Sequence, residues 1–294
     1  MKKLFALALT LTMVLSLAAC GTKEETPDAA SSVSAASSAA AASAEEVGIT
    51  TVTPGKLTVA TSPDFAPYEF YAIDENGDPH LAGFDMALAQ YIADYLGLEL
   101  EVIPMDFDGV LMELTTGSVD LGLAGLSPDP DREEVMAFSD AYYEGSQCFV
   151  TTSEKKELFP DLASLNNPDI TVGAQVGSIQ MDLAQIHSAD AEIISLPKVT
   201  DILSELLTGK LDGAYTEEVV ATSYKQNYPE LEIACLVPYD VEFASVGVVK
   251  GNDALLAGVN EAIAAARSDG SMAAFVAEAT EQATGNIHEG LLEG

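Results

Sequence analysis

One arginine marks the most informative stretch of this chain. Arg132 ends the segment AGLSPDPDR at residues 124–132, and the chain contains only one other arginine, Arg267. Asp129 is a good N-cap and Pro130 a good first helical residue, so Arg132 is expected in the first turn of a helix. The helix dipole favours anions there, so a cation at this position calls for a negative partner. An arginine fork beside free helix N–H groups can bind a carboxylate.

The alternative interpretation is a surface ion pair between Arg132 and Glu133 or Glu134. Exposed pairs of this kind are common and contribute little to stability. The local residues leave both interpretations open.

Further motifs accompany this arginine in a fixed order: LTVAT at 57–61, FAPYEF at 65–70, GFD at 83–85, MDFDG at 105–109 and FSDAYY at 138–143. The ordered set resembles the family of extracellular solute-binding proteins that deliver amino acids to ABC transporters. That family's patterns are Y-P-P-F-E-F, then A-G-x-[ST]-x-T-x-x-R, then F-S-x-x-Y-Y. The resemblance covers residues from about 54 to 285, and it is specific as a set although each motif alone is weak.

An internal repeat indicates which elements position these residues. LTTGSVD at 114–120 and LLTGKLD at 206–212 share the pattern L-x-T-G-x-[VL]-D. Each copy predicts a helix end, a glycine cap and the start of a buried strand. Helical apolar spacing at 84–96 and 202–207 predicts helices around them. We therefore expect an α/β protein with two βαβ-type lobes and largely parallel sheets. The resemblance implies a periplasmic-binding-protein-like fold, two lobes joined by a two-strand hinge.

Ligands of such sheets bind beyond the carboxyl ends of the strands. These ends are predicted at 62–65 and 125–127 in one lobe, and at 175–179 and 216–217 in the other. A cleft between the lobes could then close on a small solute. The hinge is predicted in two extended segments, 147–151 and 243–249. Lobe 1 is expected to comprise 50–146 and 243–294 with the C-terminal helices, and lobe 2 to comprise 147–242.

A zwitterionic amino acid needs an anion site and a cation site. For its carboxylate we expect Arg132, the Ser127 hydroxyl and the N–H groups near Ser178. Its ammonium group is expected to meet Glu217 and the Gly125 carbonyl. The resemblance implies the same assignments, but Glu217 could instead be a helix N-cap or a first-turn acid.

Apolar walls are expected from Phe65 and Phe107, whose rings could enclose the aliphatic part of the solute. Core packing is the alternative for both. Gln175 is expected to face the side-chain end of the cleft. The expected binding residues are Ser62, Phe65, Phe107, Ala124, Gly125, Ser127, Arg132, Gln175, Gly177, Ser178, Ile179 and Glu217.

The chain departs from the family pattern in places that bear on the solute. Many relatives selective for polar or cationic side chains have Asp where this chain has Ser62, and Asp is commoner than Glu at position 217. Without an acid at position 62, a lysine or arginine ligand is less firmly indicated, although Asp64 could compensate. Gln175 leaves a polar neutral ligand open.

The N-terminus indicates the compartment. Two lysines, an apolar run at 4–17 and LAACG at 17–21 predict a signal peptide over 1–20, with Cys20 as the lipidated residue. The run is short for a membrane span. The Ala- and Ser-rich segment 21–50 is predicted to be a disordered tether. We expect an extracytoplasmic protein, held by the lipid on Cys20 at the outer face of the cytoplasmic membrane.

The composition of the chain limits which classes of partner, cofactor or metal it is expected to bind. A net charge of −35 argues against binding nucleic acid or an anionic membrane surface. No cofactor or metal is expected, because the three histidines lack ligand spacing and the acidic segment 74–78 fits a hairpin turn at Asn76-Gly77 better than a calcium loop. Cys148 and Cys235 are interpreted as unpaired buried thiols, with a disulfide as the alternative.

Three functions remain open. The leading hypothesis is a non-enzymatic, monomeric binding protein that hands an amino acid to an ABC transporter permease and its ATPase, as the resemblance implies. A second is a prephenate or arogenate dehydratase on the same fold, which would need a general acid in the cleft. A third is a sensory lipoprotein that binds the same solute without transport.

Overall fold

The computed structural model describes residues 48–74 and 76–285. The predicted signal peptide, Cys20 and nearly all of the predicted tether lie outside the described residues, as does the end of predicted lobe 1. The described strands are β1 Lys56–Thr61, β2 Asp64–Phe65, β3 Glu69–Ile73, β4 Pro79–Ala82, β5 Glu99–Pro104, β6 Leu121–Gly122, β7 Met136–Glu144, β8 Gln147–Thr152, β9 Thr171–Gln175, β10 Glu192–Leu196, β11 Gly213–Glu217, β12 Leu231–Val237 and β13 Phe243–Val249. The α-helices are α1 Phe84–Leu96, α2 Phe107–Thr116, α3 Pro130–Glu133, α4 Ile179–His187, α5 Val199–Leu207, α6 Glu218–Asn227, α7 Asp253–Ser268 and α8 Ser271–Ala283.

Two five-stranded sheets form the centres of two α/β lobes. Their strand orders are β5-β1-β6-β13-β7 and β10-β9-β11-β8-β12. In each sheet the first three strands of this order are parallel to one another. The fourth strand pairs antiparallel with the third and with the fifth. The predicted two-lobe α/β fold with mainly parallel βαβ units is therefore confirmed. Strands β2, β3 and β4 form a small third sheet, which carries residues of the FAPYEF motif.

The sequence repeat has the same structure in both lobes. Gly117 ends α2 in the left-handed conformation, and Gly209 has a similar φ of 79° just beyond α5. The final aspartate of each copy then accepts a hydrogen bond from a backbone N–H of the adjacent parallel strand, β1 in one lobe and β9 in the other. The Asp120 carboxylate accepts from Thr58 N and the Asp212 carboxylate from Thr171 N, each at 2.8 Å. Each repeat therefore joins a helix end to the neighbouring strand.

The chain crosses between the sheets at 145–146 and again at 238–242, between the ends of the strands on either side. The predicted hinge segments 147–151 and 243–249 are instead strand residues of the two sheets, so that prediction was wrong in position. An extended apolar run has the same pattern in a crossing and in a buried strand. The crossings come immediately before each run.

Several smaller predictions can be compared with the described residues. Asn76-Gly77 forms the turn between antiparallel β3 and β4, with Asp74 accepting hydrogen bonds from the N–H groups of Asn76 and Asp78. Cys148 in β8 and Cys235 in β12 are free thiols. Within the described part of the chain, no helix combines the length and apolarity needed to cross a membrane.

Candidate functional site

A cavity lies where strand ends of the two sheets face each other. Its volume is about 10 Å³, room for about one water molecule. A solute could therefore enter only after the lobes separate. The residues that line it are Asp64, Phe65, Glu69, Phe107, Ala124, Gly125, Ser127, Arg132, Gln175, Ile179 and Gln180. Eight of these were predicted from the sequence, whereas Asp64, Glu69 and Gln180 were not among the expected binding residues.

Arg132 is buried at this cavity, with 8% of its surface exposed. Its guanidinium donates to the carbonyls of Ser127 at 2.9 Å and of Gly177 at 3.0 Å, and its Nε lies 3.4 Å from the Asp129 carboxylate. A surface ion pair with Glu133 or Glu134 is therefore the wrong interpretation. Burial lowers the pKa of Arg132, but an arginine stays charged in proteins.

The helix that carries Arg132 differs from the prediction in one respect. Asp129 is the expected N-cap, and its side chain accepts from the N–H groups of Asp131 and Arg132. Those two N–H groups are thus already used, and α3 has only four residues. The capacity of this region to bind an anion therefore rests on the guanidinium rather than on the helix terminus.

The two predicted aromatic walls both line the cavity and both pack in the core. The guanidinium carbon of Arg132 lies 5.6 Å from the centre of the Phe107 ring, within the range of a cation–π contact. Phe65 stacks on Tyr68, with ring centres 5.4 Å apart. Core packing and a cavity wall are therefore compatible roles for these rings.

The second lobe contributes the segment after β9. Gly177, at φ 72°, turns its carbonyl to Arg132, and Ser178 is the N-cap of α4, where its hydroxyl accepts from Met181 N. The Ser178 hydroxyl also donates to the Gln175 carbonyl at 2.7 Å. Ser178 thus holds the turn that brings Gly177 and Ile179 to the cavity.

Glu217 ends β11 and occupies the N-cap position of α6, but its side chain makes no capping hydrogen bond. It does not line the cavity; instead its Oε1 accepts from the Tyr68 hydroxyl of the first lobe at 2.5 Å. Burial raises the pKa of Glu217 to about 8, and the hydrogen bond from Tyr68 limits the rise. The predicted N-cap position of Glu217 is therefore correct, but its side chain joins the two lobes through Tyr68 instead of capping the helix.

Ser62 does not line this cavity either; its hydroxyl donates to Asp64 Oδ1 at 2.9 Å. Asp64, two residues further on, also reaches the second lobe. Its Oδ2 accepts from Gln175 Nε2 at 3.1 Å and from Val199 N, at the start of α5, at 2.6 Å. Its position just after β1 in the sequence was the available signal, because such positions lie at the cleft.

Glu69 and Asp85 form a buried acidic pair that sequence reasoning missed. Both side chains are 0% exposed, and Asp85 Oδ2 accepts from Gly125 N at 3.1 Å. Burial raises the pKa of Asp85 to about 6; burial and then the Asp85 carboxyl raise the pKa of Glu69 well above its usual range. The motifs FAPYEF and GFD contain these acids, but only the folded chain brings them together.

Comparison with known proteins agrees with the fold. The family model for bacterial extracellular solute-binding proteins, family 3, matches residues 57–280. This chain belongs to that family.

Individual relatives give the level of similarity. The arginine-binding extracellular protein ArtP of Bacillus subtilis is 33% identical over 179 residues, 60% of this chain and 67% of ArtP. A cyclohexadienyl dehydratase of Pseudomonas aeruginosa is 27% identical over 177 residues, 60% of this chain and 65% of the enzyme. The crystal structure of the amino acid ABC transporter substrate-binding protein AbpA from Streptococcus pneumoniae, bound to L-arginine, has a TM-score of 0.75 and 31% identity, and covers 78% of this chain and 96% of its own.

Proposed function

We propose that this family member captures an amino acid between its two lobes and delivers it to an ABC transporter permease with its ATPase. The observation that carries the proposal is the buried Arg132 guanidinium, which faces a cavity between the lobes beside Phe107. A buried cation at an enclosed site is suited to a carboxylate, which it can bind through two parallel hydrogen bonds. The names of ArtP and AbpA support the same activity class.

In this proposal the solute carboxylate binds Arg132 with help from Ser127, and its aliphatic part lies between Phe65 and Phe107. The ammonium group replaces the Tyr68 hydroxyl as a partner of Glu217. That exchange needs a shift of the Tyr68 or Glu217 side chain, because the two are in direct contact. The remaining predicted residues, Ser62, Ala124, Gly125, Gln175, Gly177, Ser178 and Ile179, shape the walls or hold these groups in place.

The proposal extends to the whole chain. Lobe 1 comprises 50–146 and 243–294, and lobe 2 comprises 147–242. The protein acts as a monomer outside the cytoplasm, held to the membrane by a lipid on Cys20 through the tether at 21–50. The sequence motif LAACG carries the lipid part of this proposal.

A calorimetric screen of the twenty amino acids with the purified protein tests the central claim. We expect saturable binding of at least one of them, and loss of that binding in Arg132→Ala. Failure of all twenty to bind would contradict the proposal. A pull-down of permease subunits in the presence of the bound solute separates transport from a purely sensory role, which would leave the permease unbound.

One observation favours a second candidate function. Burial raises the pKa of Glu217 to about 8, and this acid could donate a proton to a bound solute once its contact with Tyr68 opens. A dehydratase needs such a group, and one relative is a cyclohexadienyl dehydratase. Incubation with prephenate and arogenate tests this, and we expect no turnover. Sustained product formation that disappears in Glu217→Gln would make the protein an enzyme instead.

A further inference from the structure

Gly145 lies in the first crossing between the lobes, at a place where a side chain would meet Glu217. A Cβ atom added to Gly145 would overlap Oε1 of Glu217 and would lie 2.8 Å from its Cδ atom and 3.3 Å from the Tyr68 hydroxyl. The backbone of Gly145 is not in the left-handed region, so alanine could adopt its conformation. Glycine therefore matters here for close approach rather than for backbone freedom.

Backbone hydrogen bonds hold Glu217 against this crossing. Glu217 is the last residue of β11 that pairs with β8, and the next N–H group, that of Glu218, donates to the Ser146 carbonyl at 2.8 Å. Gly145 N in turn donates to the Glu242 carbonyl of the second crossing at 3.2 Å. The backbone of Glu217 therefore cannot withdraw from Gly145 without breaking these bonds. A side chain at position 145 would be accommodated by rotation of the Glu217 side chain instead.

Rotation of the Glu217 side chain would break its hydrogen bond with Tyr68, which joins the two lobes. The side chain of Glu217 is buried, with 4% of the residue exposed. Gly145, Ser146 and Glu218 also line a groove of about 650 Å³, which would give a displaced carboxyl access to water. A chain with alanine at position 145 is therefore expected to fold with this acid out of place.

We infer that Gly145 is a positioning residue for amino-acid binding: its lack of a side chain lets the Glu217 carboxyl lie against the first crossing and reach Tyr68 of the other lobe. This inference rests on the proposed function, in which Glu217 accepts the solute ammonium. Because Gly145 belongs to the crossing, rotation of its backbone changes the space that the Glu217 carboxyl occupies. Movement of the lobes and the position of the ammonium site are thereby coupled through one contact.

A double-mutant cycle between positions 145 and 217 tests this inference. Glu217→Asp withdraws the carboxyl by one methylene, which leaves room for a Cβ atom at position 145. Calorimetry with each of the twenty amino acids gives the affinities. We expect Gly145→Ala to weaken the tightest binding about tenfold or more beside Glu217, because a hydrogen bond to a charged group is lost. In the Glu217→Asp background the same substitution should change the affinity less than about threefold.

Ser146→Ala is the matched control. It alters a side chain in the same crossing but keeps the backbone carbonyl that accepts from Glu218 N. We expect it to bind amino acids as wild type does.

A second measurement needs no solute. Burial raises the pKa of Glu217 from 4.5 to about 8, so the stability it contributes is fully present below the unfolded value and is lost as pH rises through about 8. A carboxyl displaced into water would regain its usual pKa. Urea unfolding over about pH 5 to 9 should therefore show a smaller pH dependence in Gly145→Ala than in Ser146→Ala. Both variants keep the titratable groups that face Glu217, which are Tyr68, Glu69, Asp85, Tyr142, Tyr143 and Cys148.

The remaining outcomes also decide the inference. An equal loss of affinity in both backgrounds, or the same pH dependence in Gly145→Ala and Ser146→Ala, would overturn it. If Gly145→Ala does not fold, recovery of folding in Gly145→Ala/Glu217→Asp supports the inference, and a lack of recovery overturns it. If no amino acid binds wild type, the proposed function fails, while the pH dependence still tests the contact of Gly145 with Glu217.

Discussion

At the residue scale, the rarity of arginine made Arg132 visible in the sequence, and burial explains why it matters. Cations are seldom placed inside proteins without a partner. The sequence pattern predicted its N-cap, Asp129, and eight of the residues that line the cavity. The sequence pattern did not predict which hydrogen-bond donors near the cavity already have an acceptor within the protein. The capping bonds of Asp129 and the Tyr68–Glu217 contact depend on side-chain directions that spacing does not encode.

Replacing Arg132 should remove solute binding. The loss of a charge-assisted contact in an enclosed site is expected to cost about 2–5 kcal/mol. Arg132→Lys should recover only part of the affinity, because lysine keeps the charge but not the fork. Arg267→Ala is the matched control, since Arg267 is exposed in the last turn of α7. Isothermal calorimetry gives the affinities; binding by Arg132→Ala within about threefold of wild type would reassign the carboxylate site.

Replacing Glu217 should move stability and affinity in opposite directions. The folded-state pKa of Glu217 is about 8 and the usual value is 4.5, so the folded chain holds this proton more tightly than the unfolded chain. Stability is therefore fully present below the unfolded value and falls as pH rises through about 8. Glu217→Gln mimics the protonated acid and still accepts from Tyr68. It should be more stable than wild type at about pH 8 by a few kcal/mol.

Urea unfolding of the solute-free protein over about pH 5 to 8 measures this slope. The free energy of unfolding of Glu217→Gln should depend less on pH than that of wild type. Titration of Asp85 and Glu69 should account for the pH dependence that remains. Its affinity for the amino acid should be lower, because a buried ammonium then lacks its counter-charge. Deamino analogues should lose less affinity than the parent compound. An unchanged pH slope would mean that Glu217 is ionised in the folded protein.

At the element scale, the repeat is the feature that sequence reasoning interpreted best. In each copy a helix ends near a glycine and a strand begins a few residues after it. The strands are arranged in the same way in both sheets. The hydrogen bond of each final aspartate to the adjacent parallel strand could not be seen from one copy alone. The position of the hinge was missed because β8 and β13 are extended and apolar, like the short crossings beside them.

The two repeat aspartates should differ in their contribution to stability. Asp120 is 1% exposed and accepts from Val52 N, Thr58 N and the Thr58 hydroxyl. Asp120→Asn leaves buried donors facing an amide nitrogen, at a cost of about 2–4 kcal/mol. Asp212→Asn should cost less, because its side chain is 27% exposed and its partner Lys155 can turn to water. Urea unfolding compares them, and equal costs would contradict this account of burial.

At the scale of the whole molecule, the two lobes are held together by contacts that cross the cavity. Asp64 reaches Gln175 and Val199 N, Tyr68 reaches Glu217, and Arg132 reaches the Gly177 carbonyl. In this arrangement the cavity is too small for an amino acid, so these bonds would have to open before a solute enters. A net charge of −35 promotes solubility, but charge alone carries no information about closure.

Attachment to the membrane is also a property of the whole chain. Cys20→Ser should block lipidation, because the cleavage box offers one cysteine for modification. Fractionation of cells that express the variant should recover it in the soluble fraction or as an uncleaved precursor. Cys148→Ser is the control, since that thiol lies buried in β8. Lipid labelling of Cys20→Ser at the wild-type level would contradict the proposed anchor.

The last prediction concerns closure of the two lobes around the solute. A solute that touches both lobes binds the closed arrangement better and shifts the population towards it. Small-angle scattering should show a smaller radius of gyration with solute, and saturation at a hundredfold excess over Kd should add about 2.7 kcal/mol of stability. Asp64→Asn loses acceptor capacity that exists only in the closed state, so its affinity should fall about tenfold or more. Asp106→Asn, an exposed helix-start acid without a capping bond, should bind as wild type does. A large thermal shift with an unchanged radius of gyration would mean that the pocket is preformed and that no closure accompanies binding.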